Sequence, residues 1–254
     1  MELKHISLRA DYGAYDDIFF ISFFDNANFI SNFISKQIRS YHIKTDGTYN
    51  AIAINITTNN SSCKIVPVNT LDVKIQFTME EKKQYLRIKN EIERFEFYLS
   101  LLEAGYRLAE TLKPIPKDIL FSIHDEFRKN GYKNESLFKK KQLRDYGIKI
   151  ELTHVLTSYN YNLVLSVYNL NGELIGKDSI YETFPDDILF NKDVRHLVID
   201  GNKLIVTDFL DHPQFVCDLN DLSKGIVKSV CVDENTKKYI PNENNKDEFE
   251  RLKW

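Results

Sequence analysis

Hydrophobic positions recur with a period of two in several separate parts of the chain. Ile52, Ile54 and Ile56 alternate with small or polar residues, and the segment from Leu71 to Phe77 repeats the pattern. A period of two places alternate side chains on one face of a strand. Further alternations follow at 148–152, 163–167, 197–199 and 204–206. We therefore predict strands in the first third of the chain and again after residue 147.

Asn-Gly and Asp-Gly steps separate some of these alternations and predict hairpin turns. Asn171-Gly172 follows the pattern at 163–167, and Asp200-Gly201 lies between the last two strand-like segments. Such steps favour the positive φ angles that tight hairpin loops require. The C-terminal strands are therefore predicted to be antiparallel.

A helical period replaces the strand period in the middle of the chain. Thr78 and Glu81 have the spacing of a capping box, and apolar residues then recur in steps of three and four as far as Leu102. We predict a helix that ends near Gly105. A second helix is predicted between Pro116 and Asn130, and a short amphipathic helix around 29–38.

Together these patterns predict an α+β fold with a β-rich N-terminal part, a central pair of helices and an antiparallel β-rich C-terminal part. We predict one domain over 1–254, with a possible subdivision near the prolines at 113–117. The segment 233–254 is charged and rich in asparagine, and is predicted to be a polar tail.

Composition excludes several classes of protein. Hydrophobic residues make up 43% and aromatic residues 13% of 254 positions, which is not typical of a disordered chain. The net charge is −3, whereas most nucleic-acid-binding domains have an excess of basic residues. Three cysteines without a CxxC pair argue against a disulfide framework or a zinc finger.

The N-terminus lacks a secretory pattern and the apolar run at 18–24 is short, so we expect a cytoplasmic protein without a membrane span.

Charge is distributed unevenly along the chain. Residues 127–149 contain eight Lys or Arg and two acids, whereas 178–221 contain ten acids and three Lys or Arg. The basic run at 139–144 is expected to follow the second helix and face water, although contact with phosphates or with a protein would also suit it. The acidic block could pair with the basic one or form a docking surface.

Three polar side chains within the acidic block are candidates for chemistry. Asp208, Asp211 and His212 could bind a divalent metal or act as acid and base, and an Asp here could equally cap a turn. The adjacent residues of His124-Asp125-Glu126 point in different directions on a helix and are not expected to converge. Walker, GxGxxG and GxSxG motifs are absent from the sequence, so we predict no catalytic residues and no cofactor.

The segment EFYLSLLEAGYRLAETLKPIPKDILFSIHDEFRKNGYKNESLFKKKQLRDYGIKIEL, at 96–152, carries a family resemblance. A helix with a Leu-Leu-Glu step and a glycine (Leu101 to Gly105) precedes a helix ending in Phe127-Arg128, a basic connector and a strand. This order resembles uncharacterised bacterial proteins encoded beside polymorphic toxins. The resemblance implies an immunity protein that binds and blocks one toxin, and it transfers no active-site residue.

The acidic block is the predicted surface for such a partner. We expect Asp186, Asp187, Asp208 and Asp211 to attract a basic toxin, with Tyr181 and Phe209, and also Phe184, as possible aromatic anchors. Two other functions remain open at this point: a nucleic-acid-binding module that uses the 139–144 stretch, and a metal-dependent hydrolase around Asp208, Asp211 and His212.

Overall fold

The computed structural model of the chain describes residues 1–185 and 191–232. About 33% of the described residues are in helices and 37% are in strands, which confirms the α+β class. The chain divides into two compact units, Met1–Asn134 and Glu135–Trp254. The segment at 113–117, where the sequence suggested a subdivision, connects two helices inside the first unit. The predicted tail at 233–254 lies outside the described residues.

The first unit is built on a four-stranded sheet. Its strands are β1 (His5–Ala10), β2 (Ala51–Thr57), β3 (Ser62–Val66) and β4 (Thr70–Gln76), in the order β1-β2-β4-β3. β1, β2 and β4 are parallel, and β3 is antiparallel to β4. A parallel pair needs a crossover connection, which α1 (Asp17–Ser40) supplies between β1 and β2.

Helix α1 is much longer than the short helix predicted around 29–38. The Asp16 carboxylate accepts a hydrogen bond from the Phe19 amide at 3.0 Å and begins the helix before the apolar run at 18–24. Phe19, Phe23 and Ile30 are fully or almost fully buried along one side. The prediction was too short because the run at 18–24 is apolar on every side and so has no helical period.

Two serines of α1 complete the hydrogen bonding of the sheet edge at β1. The Ser35 hydroxyl accepts from the Ile6 amide and donates to the Ile6 carbonyl, both at 3.0 Å. The Ser31 hydroxyl accepts from the Leu8 amide at 3.1 Å. All of these groups are buried, so α1 supplies the partners that a further strand would otherwise provide.

The predicted central pair of helices is three helices: α2 (Met79–Arg87), α3 (Glu91–Glu110) and α4 (Lys117–Lys129). The predicted capping box of Thr78 and Glu81 is confirmed. The helix expected from there to Gly105 breaks at Ile88, which is extended, and Asn90 begins α3 by accepting from the Ile92 and Glu93 amides. The start of α4 after Pro116 and its end at Asn130 agree with the prediction.

Gly105 does not end α3 but allows the helix to pack closely on the sheet. A Cβ added at Gly105 would lie 2.6–2.9 Å from three side-chain atoms of Ile54 on β2. These distances are shorter than van der Waals contact, so only glycine permits this approach.

The second unit contains two four-stranded sheets. One has the order β5-β6-β7-β8 and the other the order β12-β11-β10-β9. Their strands are β5 (Asn134–Leu143), β6 (Ile148–Leu156), β7 (Tyr161–Asn169), β8 (Leu174–Thr183), β9 (His196–Asp200), β10 (Lys203–Thr207), β11 (Pro213–Asp218) and β12 (Val230–Cys231), and α5 (Leu219–Leu222) follows β11. The antiparallel pairing of β7 with β8 and of β9 with β10 confirms both predicted hairpins.

The basic run predicted as a connector after the second helix lies within strand β5. Side chains of a strand alternate between its faces, so Lys139 and Lys141 face opposite to Lys140. Lys140 forms an ion pair with Glu151 of β6 at 2.7 Å. The three lysines therefore do not form one continuous basic face.

We expect Ser31→Ala and Ser35→Ala each to destabilise the protein. Either change leaves a buried backbone amide of β1 without its acceptor, at a cost of about 1–3 kcal/mol in the free energy of unfolding. Urea unfolding followed by circular dichroism measures the loss. Ser40→Ala removes an exposed helix serine and is the matched control, with an expected change of less than about 0.5 kcal/mol. Equal stability of all three variants would show that the β1 edge does not depend on these serines.

Gly105→Ala should also destabilise the protein, although alanine normally favours a helix. The added methyl group must displace Ile54, and overpacking of this kind costs about 1–3 kcal/mol. The same unfolding measurement on Gly105→Ala combined with Ile54→Ala tests the cause, because removing the Ile54 side chain removes the clash. The explanation is wrong if Gly105→Ala alone is as stable as the parent protein.

Candidate partner-binding surface

Several chain segments meet at one end of the second unit. Leu156 pairs with Tyr161 and Tyr161 with Thr183, so the turn at 157–160 lies at the same end of its sheet as the residues after β8. In the other sheet His196 pairs with Thr207, which places 191–195 beside the turn at 208–212. We call residues 157–160, 182–184, 191–196 and 208–212 the acidic end.

Hydrogen bonds between the segments hold the acidic end together. The Asn160 side chain donates to Glu182 at 2.6 Å, and the Phe209 amide donates to the Lys192 carbonyl at 2.9 Å. The Tyr181 hydroxyl donates to Asp193 and so connects the two sheets. The segments therefore form one surface.

Large apolar side chains project from the acidic end into solvent. Phe184 is 74% exposed, Tyr159 60%, Leu210 58% and Phe209 55%. Exposed aromatic residues are typical anchors of protein interfaces, because a partner can remove their whole surface from water. Phe209 is exposed and its anchor role stays a prediction, whereas Tyr159 was not named from the sequence.

Carboxylates outnumber basic groups among these residues. Glu182, Asp193, Asp208 and Asp211 lie in the acidic end together with only two residues of fixed positive charge, Lys192 and Arg195. The predicted site residues Asp186 and Asp187 lie outside the described residues. The described part of this surface therefore carries a small net negative charge.

Asp208 is a structural residue of the turn. Its Oδ1 accepts from the Leu210 and His212 amides, each at 2.8 Å, and its Oδ2 accepts from the Gln214 side chain at 3.2 Å. The residue is only 8% exposed. The structure therefore favours the interpretation that Asp208 caps the turn.

His212 lies beside Asp208, whereas the Asp211 carboxylate faces His196. Asp211 has a φ of 67° and its carboxylate lies 3.6 Å from His196 Nε2, while His212 Nδ1 lies 3.5 Å from Asp208 Oδ2. Among residues 1–185 and 191–232, no group of three His, Cys, Asp or Glu side chains has an arrangement that could hold a metal ion. These contacts favour turn formation over metal chemistry at 208–212.

Tyr181, which was also predicted as an anchor, packs against the neighbouring sheet. Its ring stacks on Phe215 of β11 with centroids 4.5 Å apart, and burial raises its pKa to about 12. The side chain alternation of β8 places Tyr181 between the sheets, whereas Phe184 lies beyond the end of the strand. The sequence pattern did not distinguish these two aromatic residues.

A second polar cluster lies in the first unit, and sequence reasoning missed it. His124 is completely buried, with Nδ1 3.4 Å from Glu103 Oε1 and Nε2 3.3 Å from the Tyr106 hydroxyl. Arg128 donates to Glu96 at 2.9 Å and to Glu103 at 3.2 Å. Burial lowers the pKa of His124, and no solvent reaches its ring. The cluster joins α3 to α4, with His124 at its buried end and Glu96 and Arg128 partly exposed.

Comparisons with protein-family models, with curated proteins and with solved structures gave no match to this chain. None of the helices in the described part of the chain has both the length and the hydropathy needed to cross a membrane. Function is therefore inferred from the surface chemistry of the acidic end.

We expect Asp208→Ala to disorder the turn at 208–212 and to reduce stability by about 1–3 kcal/mol, because two backbone amides lose their acceptor. Asp208→Asn keeps an acceptor oxygen and should cost less than about 1 kcal/mol. Urea unfolding compares the two variants. Equal losses would mean that the negative charge, and not the hydrogen bonding, is what the turn requires.

Proposed function

We propose that the protein is a non-catalytic interaction protein, and specifically an immunity protein that binds and neutralises a cognate bacterial toxin in the cytoplasm. The observation that carries this proposal is the grouping of Tyr159, Phe184, Phe209 and Leu210 beside four carboxylates at one end of the second unit. The resemblance of residues 96–152 to proteins encoded beside toxins supports the same class of function.

The two kinds of side chain contribute different parts of binding. Exposed aromatic groups gain free energy when a partner covers them, and a small number of such anchors usually supplies most of an interface's affinity. Carboxylates speed association with a basic surface and have a smaller effect on the dissociation rate. A toxin that binds a polyanionic substrate carries a basic surface of the kind that fits here.

Inhibition would be stoichiometric. Once the acidic end covers the basic surface of the toxin, the substrate of the toxin cannot reach that surface. The mechanism requires no metal, no cofactor and no chemical step on this chain. It also explains why Asp208 and Asp211 are used by the turn and its neighbours instead of forming a reactive centre.

A nucleic-acid-binding role has less support from the same charges. The acidic end repels phosphates, and β5 places Lys139 and Lys141 on the face opposite to Lys140. Lys140 is also neutralised in part by Glu151.

The test is binding of the purified chain to the protein products of the genes that flank its own, measured by biolayer interferometry. We expect one of them to bind, and Phe184→Ser combined with Phe209→Ser to weaken binding by about 100-fold or more, mainly through faster dissociation. Asp211→Asn should slow association and reduce its salt dependence. Both phenylalanines are exposed, so these changes leave the core intact.

Leu170→Ser is the matched control for this experiment. Leu170 is 44% exposed and lies in the β7–β8 hairpin, at the opposite end of β7 from Tyr161. Its replacement should leave the binding unchanged. The proposed function is wrong if neither flanking gene product binds and the chain protects cells from neither product. The choice of surface is wrong if the double phenylalanine variant binds as tightly as the parent chain.

A further inference from the structure

Helix α1 exposes an apolar face in the first unit, away from its buried side. Ile18 is 83% exposed and Ile21 is 56% exposed. Residues three apart are neighbours on a helix surface, so the two isoleucines form one patch. The solvent face of a helix in a globular protein normally carries polar residues, so this patch is an exception.

The connection before α1 carries a further exposed aromatic ring. Tyr12 is 87% exposed, and its ring packs against the ring of Phe20 edge to face with centroids 5.9 Å apart. The core contacts of α1 come from other residues, including Phe19 and Phe23, so Tyr12, Ile18 and Ile21 are not needed to bury the helix. Grouped exposed apolar residues of this kind indicate a contact surface.

Two carboxylates of α1 flank the isoleucine patch, while Lys74 and Lys82 nearby are paired with Asp11 and Asp16. Asp17, Ile21 and Asp25 follow one another at intervals of four residues and therefore form one ridge along the helix. The sequence of α1 contains no Lys or Arg before Lys36. The patch thus combines an apolar centre with carboxylates at both ends of the ridge.

We propose that this face of α1 is a second partner-binding surface, and that it takes a cationic amphipathic helix of a partner protein. Apolar side chains of the partner helix would cover Ile18, Ile21 and Tyr12. Lysine or arginine residues beside them would meet Asp17 and Asp25. Helix recognition of this type combines apolar anchors with charge complementarity.

Charge selects this occupant over two others. A second copy of the chain would place the Asp17–Asp25 ridge against the same acidic ridge, and like charges that face each other across an interface oppose association. An anionic membrane surface would meet the same repulsion. The proposal concerns the first unit alone and does not depend on the toxin-binding function of the acidic end.

The experiment uses the full chain and a fluorescein-labelled synthetic amphipathic helix composed of leucine and lysine. Fluorescence anisotropy should detect binding that weakens as salt increases. A matched peptide of leucine and glutamate should not bind. Ile18→Ser combined with Ile21→Ser should weaken binding by about tenfold or more, and Asp17→Lys by several-fold, roughly in line with the loss of interface anchors and rim charges.

Two controls identify where the peptide binds. Ile65→Ser changes an apolar residue that is 38% exposed on β3, at the opposite edge of the sheet from β1, and should not affect binding. Phe184→Ser combined with Phe209→Ser removes anchors of the acidic end and should also have no effect. Loss of peptide binding in this second variant, with unchanged binding in the isoleucine variant, would overturn the proposal.

Sedimentation velocity and vesicle co-sedimentation test the other occupants. The parent chain should be monomeric and should not sediment with vesicles of anionic phospholipid. A dimer that Ile18→Ser combined with Ile21→Ser dissociates would assign the face to a second copy. Vesicle binding that is lost in the same variant would assign it to a membrane, and either result would overturn the proposal.

Discussion

The hydrogen bonding of the β1 edge determines much of the first unit. Ser31 and Ser35 of α1 satisfy backbone groups of Leu8 and Ile6 that would otherwise be buried without partners. This requirement fixes both the position of α1 along strand β1 and the rotation of α1 about its own axis. Asn134 adds a second constraint, because its side chain donates to the Phe29 carbonyl at 2.8 Å. With the helix held in this rotation, its N-terminal turns must present Ile18 and Ile21 to solvent.

Strands β2, β4, β6, β7, β9 and β10 could be predicted from the sequence because a period of two is a local property, whereas β1, β3, β5 and β11 were not predicted. The parallel order of β1, β2 and β4 could not, since it depends on pairing between distant segments. The length of α1 was underestimated because the apolar run at 18–24 shows no helical period, so the predicted helix began only near Phe29. The break at Ile88 was hidden for the opposite reason: apolar residues continue through it, and the signal for a new helix is the single cap Asn90.

The grouping of residues at the acidic end could be predicted only in part. Asp208, Asp211 and Phe209 are close in sequence, so their proximity could be inferred, but the role of Asp208 as a cap depends on the turn geometry. Tyr159 and Lys192 reach the same surface only through the pairing of β6 with β7 and of β9 with β10. The turn residues Ser158 to Asn160 between two alternating segments were the one sequence signal that could have indicated a hairpin there.

Rigidity connects the architecture of the acidic end to the function proposed for it. A protein that acts only by covering its partner gains affinity when the covering surface is already ordered, because less conformational entropy is lost on binding. The Asp208 carboxylate holds the Leu210 and His212 amides, and the Phe209 amide is bonded to Lys192. The backbone that carries the exposed Phe209 and Leu210 side chains is therefore fixed before a partner arrives. In the proposed complex, the buried Asp208 carboxylate would therefore support binding by ordering its apolar neighbours.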